Sequence, residues 1–243
     1  MSTSEFQERV DETVSLLQEN IDDDTGLLWT GGSEAQVLAH MLLDFDEDIP
    51  FLTIDTGNQF ESVYDFRERF ASENDFEWLV RGHEELLRAI ESNRDPRDYH
   101  GQWNPSAHGD APLSEDEWTV ERSCGQLKVV PMKSFINQDG FTTLITGQKR
   151  NDAAVSDDLD PVSEEMKPAT HTRINPLYDW TEEHVWAYLT FHFVEYPNAY
   201  DNGYRHTDAK CCTGDDAVSE HGGEGFDPEL EQAKERLQDM GYV

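Results

Sequence analysis

A chain of 243 residues and 27.9 kDa, with 36% hydrophobic and 11% aromatic residues, can bury one sizeable core and is too rich in anchors to be disordered. Its 52 acidic residues against 18 basic give a net charge of −34, which excludes a general nucleic-acid binder, because a phosphate backbone is held by clustered Lys and Arg. Self-repulsion of this size is screened at molar salt, where the Debye length falls to about 3 Å, so the composition predicts a salt-requiring, halophile-type protein.

Phe6, Val10, Val14 and Leu17 recur at helical spacing and run into Asp22-Asp23-Asp24, which predicts an amphipathic helix within residues 1–24. Leu27-Leu28-Trp29 reads as a strand, followed by a Gly-Gly turn and a helix carrying Val37, Leu38, Met41 and Leu42. The theme repeats. Phe51-Leu52-Thr53-Ile54 stops at Asp55-Thr56-Gly57 and gives way to a helix with Phe60, Val63, Tyr64, Phe66 and Phe70. A third strand is expected over 76–80 with a helix over 84–90, and a fourth strand over 141–146. Residues 93–119 read as a surface excursion and 151–172 as a polar, mobile loop. Thr181 offers an N-cap, with Glu182 and Glu183 in the first turn and Val185, Tyr188 and Leu189 on the apolar face. Residues 214–243 read as a flexible tail with a terminal helix. Alternating strands and helices predict a single α/β domain over 1–243: an open, mostly parallel sheet with helices on both faces.

No run of 18 apolar residues and no signal-type N-terminus occurs, so the chain is expected to be cytoplasmic and off the membrane. Cys124, Cys211 and Cys212 are too few and too odd in number for a disulfide framework, which fits a reducing compartment.

In an open parallel sheet, ligands bind beyond the carboxyl ends of the strands. Three such ends stand out. Thr30-Gly31-Gly32-Ser33 allows close backbone approach and leads into a helix N-terminus, so it is either an oxyanion cradle or an ordinary tight turn. Asp55-Thr56-Gly57 suits a ribose or an adenine edge, or else caps the following helix. Gly147-Gln148-Lys149-Arg150 holds two of the 18 basic residues and is either an anion site or a solvated pair.

In order and spacing these loops resemble the phosphoadenosine phosphosulfate (PAPS) reductase family of the adenine nucleotide alpha-hydrolase-like superfamily, over about residues 27–213. Thr30-Gly31-Gly32 is similar to the family's modified phosphate loop, and Ile54-Asp55-Thr56-Gly57 with Phe60, Tyr64 and Phe66 to its second motif. Cys124-Gly125-Gln126-Leu127-Lys128-Val129-Val130-Pro131-Met132 resembles its Cys-x-x-x-Lys-Val-x-Pro-Leu segment. Asn175-Pro176-Leu177-Tyr178-Asp179-Trp180-Thr181 with Val185, Trp186 and Tyr188 is the most specific match, followed by Pro197-Asn198, Gly203-Tyr204 and Cys212-Thr213.

The resemblance implies that Thr30, Gly31, Gly32 and Ser33 hold the phosphosulfate and that Asp55, Thr56 and Gly57 face the adenosine. Gly147, Lys149, Arg150 and Lys128 would supply the surroundings and positive charge of the sulfonate. It implies a reductase of sulfate assimilation that takes PAPS or its 3′-dephospho form, APS. Such an enzyme attacks the sulfate sulfur with a Cys thiolate and releases sulfite through a thioredoxin-type dithiol; members commonly form homodimers.

The attacking Cys of those reductases lies in a Glu-Cys-Gly-Leu-His segment, and no Cys follows Cys212 here. Three readings of the thiols stay open: Cys211 or Cys212 is a substitute nucleophile beside Lys210, Cys124, Cys211 and Cys212 hold an iron–sulfur cluster, or all three are inert. Ser33, Glu34 and Ala35 stand where ATP-cleaving relatives carry Lys, Asp and Ser, so Glu34 is expected to repel phosphate and the loop favours a sulfonucleotide over ATP. An ATP-dependent adenylating or sulfur-transfer enzyme, and a nucleotide-binding module without turnover, are the alternatives. Of nine His, His184 and His192 are expected to be structural, and His206 near Cys211 is the one worth testing.

Overall fold

A computed structural model describes residues 3–45, 48–56, 59–82, 120–150 and 159–202, with 120–127 as backbone alone. The chain runs α1 (Thr3–Asn20), β1 (Thr25–Leu28), α2 (Ser33–Leu43), β2 (Phe51–Asp55), α3 (Glu61–Glu73), β3 (Trp78–Gly82), α4 (Val120–Asn137), β4 (Thr143–Ile145), β5 (Val162–Glu165), β6 (His171–Ile174), α5 (Glu182–Phe191) and a 3-10 turn (Tyr200–Asn202). The six strands lie in the order β3-β2-β1-β4-β6-β5. Every neighbouring pair is parallel except β5 with β6. This is the open, mostly parallel α/β sheet expected from the sequence.

Strand pleating divides the apolar residues between two faces, because successive side chains point to opposite sides. Leu27, Trp29, Phe51, Ile145 and Ile174 join the larger core, which buries Leu17 of α1, Val37 and Leu38 of α2, Phe66 of α3 and Val185 of α5. Their neighbours Leu52 and Leu144 point the other way, onto Met132, Phe135 and Ile136 of α4, with Leu28 and Ile54 at the margin. Helices therefore cover both faces. Each fully buried large apolar side chain contributes about 1.5–3 kcal/mol, so the one-residue alternation along β1, β2 and β4 fixes which face each strand turns to which helix.

Three expectations need correction. The stretch 151–172 is not a loop over its described part: it contains β5 and the start of β6. Its strands carry no apolar run because β6 buries His171 and Arg173, at 2% and 3% exposure, and β5 is an edge strand bearing Ser163, Glu164 and Glu165. The segment with Cys124 and Lys128 is helical throughout, and α4 continues through Pro131, a residue that ordinarily signals a break. The third strand begins two residues later than expected, since Phe76 instead stacks on Phe51 with ring centroids 4.2 Å apart. The helix expected over 84–90, the excursion over 93–119 and the tail over 214–243 lie outside the described residues.

Candidate functional site

The chain moves outward from β1 through β2 to β3, then returns to the other side of β1 with β4. Strand order thus reverses between β1 and β4, and in open parallel sheets ligands bind outside the carboxyl ends of the strands at such a switch point. Residues 30–33 leave β1 there and residues 147–150 leave β4. The two loops touch: a Cβ added to Gly147 would lie 2.7 Å from Glu34 Cβ. Only a glycine permits that approach.

Gly31 adopts φ +79°, in the left-handed region that favours glycine, and Gly32 is the extended N-cap of α2 without a side-chain cap. Thr30 Oγ1 accepts a 3.1 Å hydrogen bond from Gly32 N–H, which tightens the turn. At the head of α2 the buried Ser33 N–H donates to Tyr200 Oη at 2.9 Å, and Ser33 Oγ donates to Glu34 Oε2 at 2.9 Å. The phenol of Tyr200 thus occupies a backbone donor of the cradle.

Lys149, 3% exposed, forms an ion pair with Glu34 and lies 3.8 Å from Glu182 Oε2. Burial alone would raise the Glu34 carboxyl; the charge and hydrogen bond of Lys149 outweigh it and hold it below the ordinary range. The expected repulsion by Glu34 is therefore compensated inside the protein, and Lys149 is committed to that task. Arg150 is committed as well. Its Nε–H donates to Leu159 O at 3.1 Å, Nη1 meets Asp179 Oδ1 at 3.4 Å, and the guanidinium lies 4.7 Å from the Tyr178 ring centroid. Asp179 and Tyr178 of the segment 175–181 thereby anchor the loop after β4.

At the end of β2, Asp55 accepts a 2.7 Å hydrogen bond from Tyr64 Oη, and Thr56 is buried. Burial first, then Asp55, pushes the Tyr64 phenol up to about 12. Neither Asp55 nor Thr56 caps α3, whose N-cap is Phe60, so the alternative of a simple helix cap does not hold. Lys128 is buried on α4, which packs against β2 and β3. Cys124 lies on the α4 backbone, while Gly57, His206, Cys211 and Cys212 lie outside the described residues. Among the described residues no group of three or more His, Cys, Asp or Glu could hold a metal, and no helix is long and apolar enough to cross a membrane.

Sequence reasoning missed Arg67, Gln59 and Tyr200. Arg67 is 2% exposed on α3 and donates from Nη2 to the buried Gln59 Oε1 at 2.6 Å. Its signal was present, because Val63, Arg67 and Phe70 share one face at spacings of four and three, a charge on an apolar stripe. His184 is structural as expected. It completes a capping box, with Thr181 N–H donating to His184 Nδ1 at 2.9 Å.

An open, mostly parallel sheet with glycine-bearing loops at its switch point defines an adenine nucleotide alpha-hydrolase-like α/β fold. Residues 25–214 match the phosphoadenosine phosphosulfate reductase domain, and the chain belongs to that family. The chain is 25% identical over 197 residues to a phosphoadenosine 5′-phosphosulfate reductase of Xanthomonas oryzae, spanning 81% of this chain and 74% of that protein. Its fold is similar to that of the phosphoadenylyl-sulfate reductase of Candida auris, with a TM-score of 0.60 at 19% identity over 86% of this chain and 96% of the other. It is also similar to Candida glabrata FMN adenylyltransferase, with a TM-score of 0.59 at 15% identity, covering 85% and 64% of the two chains.

Proposed function

We propose that this chain binds an adenylylated sulfate, PAPS or APS, at the β1–β4 switch point and reduces it to sulfite with a thioredoxin-type dithiol. The observation that carries the reading is the convergence of residues 30–33 and 147–150 at the β1–β4 switch point, with Asp55 and Thr56 at the end of the neighbouring strand β2, in a chain that matches the family's domain over residues 25–214. On this reading Gly31 and Gly32 let the backbone reach the phosphosulfate and Ser33 offers it the N–H now held by Tyr200. Asp55, Thr56 and Gly57 face the adenosine.

The chemistry balances with a thiol of this chain. A thiolate, Cys211 or Cys212, attacks the sulfonate sulfur, and the S–O bond to the phosphate breaks as the nucleoside phosphate leaves. One thiolate of the dithiol then attacks the Cys Sγ of the resulting S-sulfocysteine, sulfite departs and leaves a mixed disulfide, and the second dithiol thiol closes the dithiol's own disulfide by expelling the Cys thiolate. Two electrons pass from the dithiol to sulfur. Lys128 would contribute electrostatic stabilisation rather than proton transfer, Lys149 being engaged by Glu34. Anaerobically purified protein in molar KCl with reduced thioredoxin is expected to release sulfite from PAPS or APS above a no-enzyme control. Nucleotide binding without sulfite would overturn the reductase reading.

A second reading, an ATP-dependent adenylating or sulfur-transfer enzyme, draws on the fold shared with FMN adenylyltransferase. Lys149 weighs against it. With its charge engaged by Glu34, little countercharge remains for a triphosphate. Pyrophosphate release from magnesium ATP would favour this second reading.

A further inference from the structure

Arg67 pays for its position without an evident return inside the free chain. Its Nη2 is held by Gln59, but Nε and Nη1 are buried and have no hydrogen-bond partner. Among the described residues no carboxylate forms an ion pair with it; its nearest ring contact is Tyr64, 5.0 Å from guanidinium to centroid. Burial lowers its pKa, with Tyr64, Asp55 and Glu68 opposing, yet a guanidinium stays charged in proteins. A buried charge with orphaned donors is unfavourable, and a methionine of similar volume would remove that cost. Packing alone does not explain an arginine here.

Its location suggests what does. A Cβ added to Gly31 would lie 3.0 Å from Arg67 Cγ and 3.4 Å from Cδ, so the stem runs directly beneath the positive-φ turn after β1. Through Gln59 and Tyr64 the same side chain reaches the segment after β2, where Tyr64 holds Asp55. Arg67 therefore bridges the two loops assigned to the nucleotide. The cations of the third loop are already hydrogen bonded to Glu34 and Asp179. An arriving oxyanion finds those charges answered, whereas Arg67 keeps two donors uncommitted.

We propose that Arg67 is an anion-recognition residue of this site, taking up a 5′-phosphate oxygen of the adenylyl ligand from beneath the Gly31-Gly32 turn through the donors that Gln59 leaves free. The inference rests on the nucleotide reading above and adds a residue to it. Because these donors are covered in the free chain, the turn must shift to admit the ligand. Two residues without side chains make that shift inexpensive.

Calorimetric titration with AMP and with adenosine, at constant molar KCl, tests the assignment in wild-type protein and in Arg67→Met and Arg67→Lys. Arg67→Met is expected to lose at least about tenfold in AMP affinity, the worth of one charge-assisted hydrogen bond, while adenosine affinity changes by less than about twofold. Its melting temperature should change little, because relief of the buried charge offsets the lost bond to Gln59. Arg67→Lys should fall between wild type and Met for AMP, and it carries the test if the Met variant does not fold. An unchanged AMP affinity, or parallel losses for AMP and adenosine, would overturn the role of Arg67 and leave the nucleotide site standing. Wild-type protein that binds neither probe would overturn the nucleotide reading and this inference with it.

Discussion

Lys149 and Arg67 are both buried cations beside the loops at the strand ends, and they are arranged in opposite ways. Lys149 is answered on the spot by Glu34, with Glu182 Oε2 at 3.8 Å, while Arg67 faces an amide and a ring and has two donor atoms without acceptors. The difference separates a charge that holds two loops together from a charge kept for something else. A cation count at the loop after β4 would have credited the ligand with charges the protein already uses.

The largest expected effect breaks the Lys149 side. Lys149→Met strands Glu34 at the head of α2, and losing one partner of a buried pair costs about 3–5 kcal/mol, with the 25% exposure of the Glu34 side chain favouring the lower end. Urea unfolding should show this loss at molar KCl as well as at low salt, since a buried pair is screened far less than surface charges. Adding Glu34→Gln should restore much of it. If Lys149→Met and Arg67→Met changed stability alike, the contrast between the two cations would collapse.

Gly31→Ala presses on the Arg67 side. Its φ of +79° costs an L-residue about 1–2 kcal/mol, and the new Cβ meets the Arg67 stem, so both stability and AMP affinity should fall. Unchanged values in chemical denaturation and calorimetry would show that the turn relaxes away from the arginine. Thr181→Ala removes the cap of α5, the helix that carries Glu182, and should cost about 1 kcal/mol by thermal unfolding.

Much of this was legible beforehand, because the strand ends at Trp29, Ile54 and Thr146 are abrupt changes from apolar to glycine or polar residues, and the helical faces of α1, α2 and α5 follow a plain 3.6-residue period. The edge was not. β6 buries an imidazole and a guanidinium, and β5 needs only one bonded neighbour, so neither leaves an apolar signature. Loop positions were readable while loop electrostatics were not: the pairing of Glu34 with Lys149 joins residues 115 apart in sequence, and it depends on a strand order that no local pattern encodes.

The smallest effect is on pH. Burial lowers the imidazoles of His40, His171 and His184 in the folded chain. The unfolded chain, titrating near its ordinary value of about 6.5, then binds more protons, so stability should decline as pH falls below about 6.5 and level off once the folded values are passed. His184 Nδ1 accepts the Thr181 N–H, so protonation also weakens the start of α5 on the Lys149 side. Arg67 should not respond in this range, its aromatic neighbour Tyr64 titrating only at about 12. A melting temperature that rises between pH 7 and pH 5.5 would contradict the sign.

The nucleotide site at the β1–β4 switch point is tested most directly by amide hydrogen exchange of the full chain in molar KCl, with and without saturating PAPS. The account predicts added protection at residues 30–36, 55–67 and 147–150, with β5 and the end of α5 unchanged. Binding that protects other segments and leaves those three as they were would contradict it.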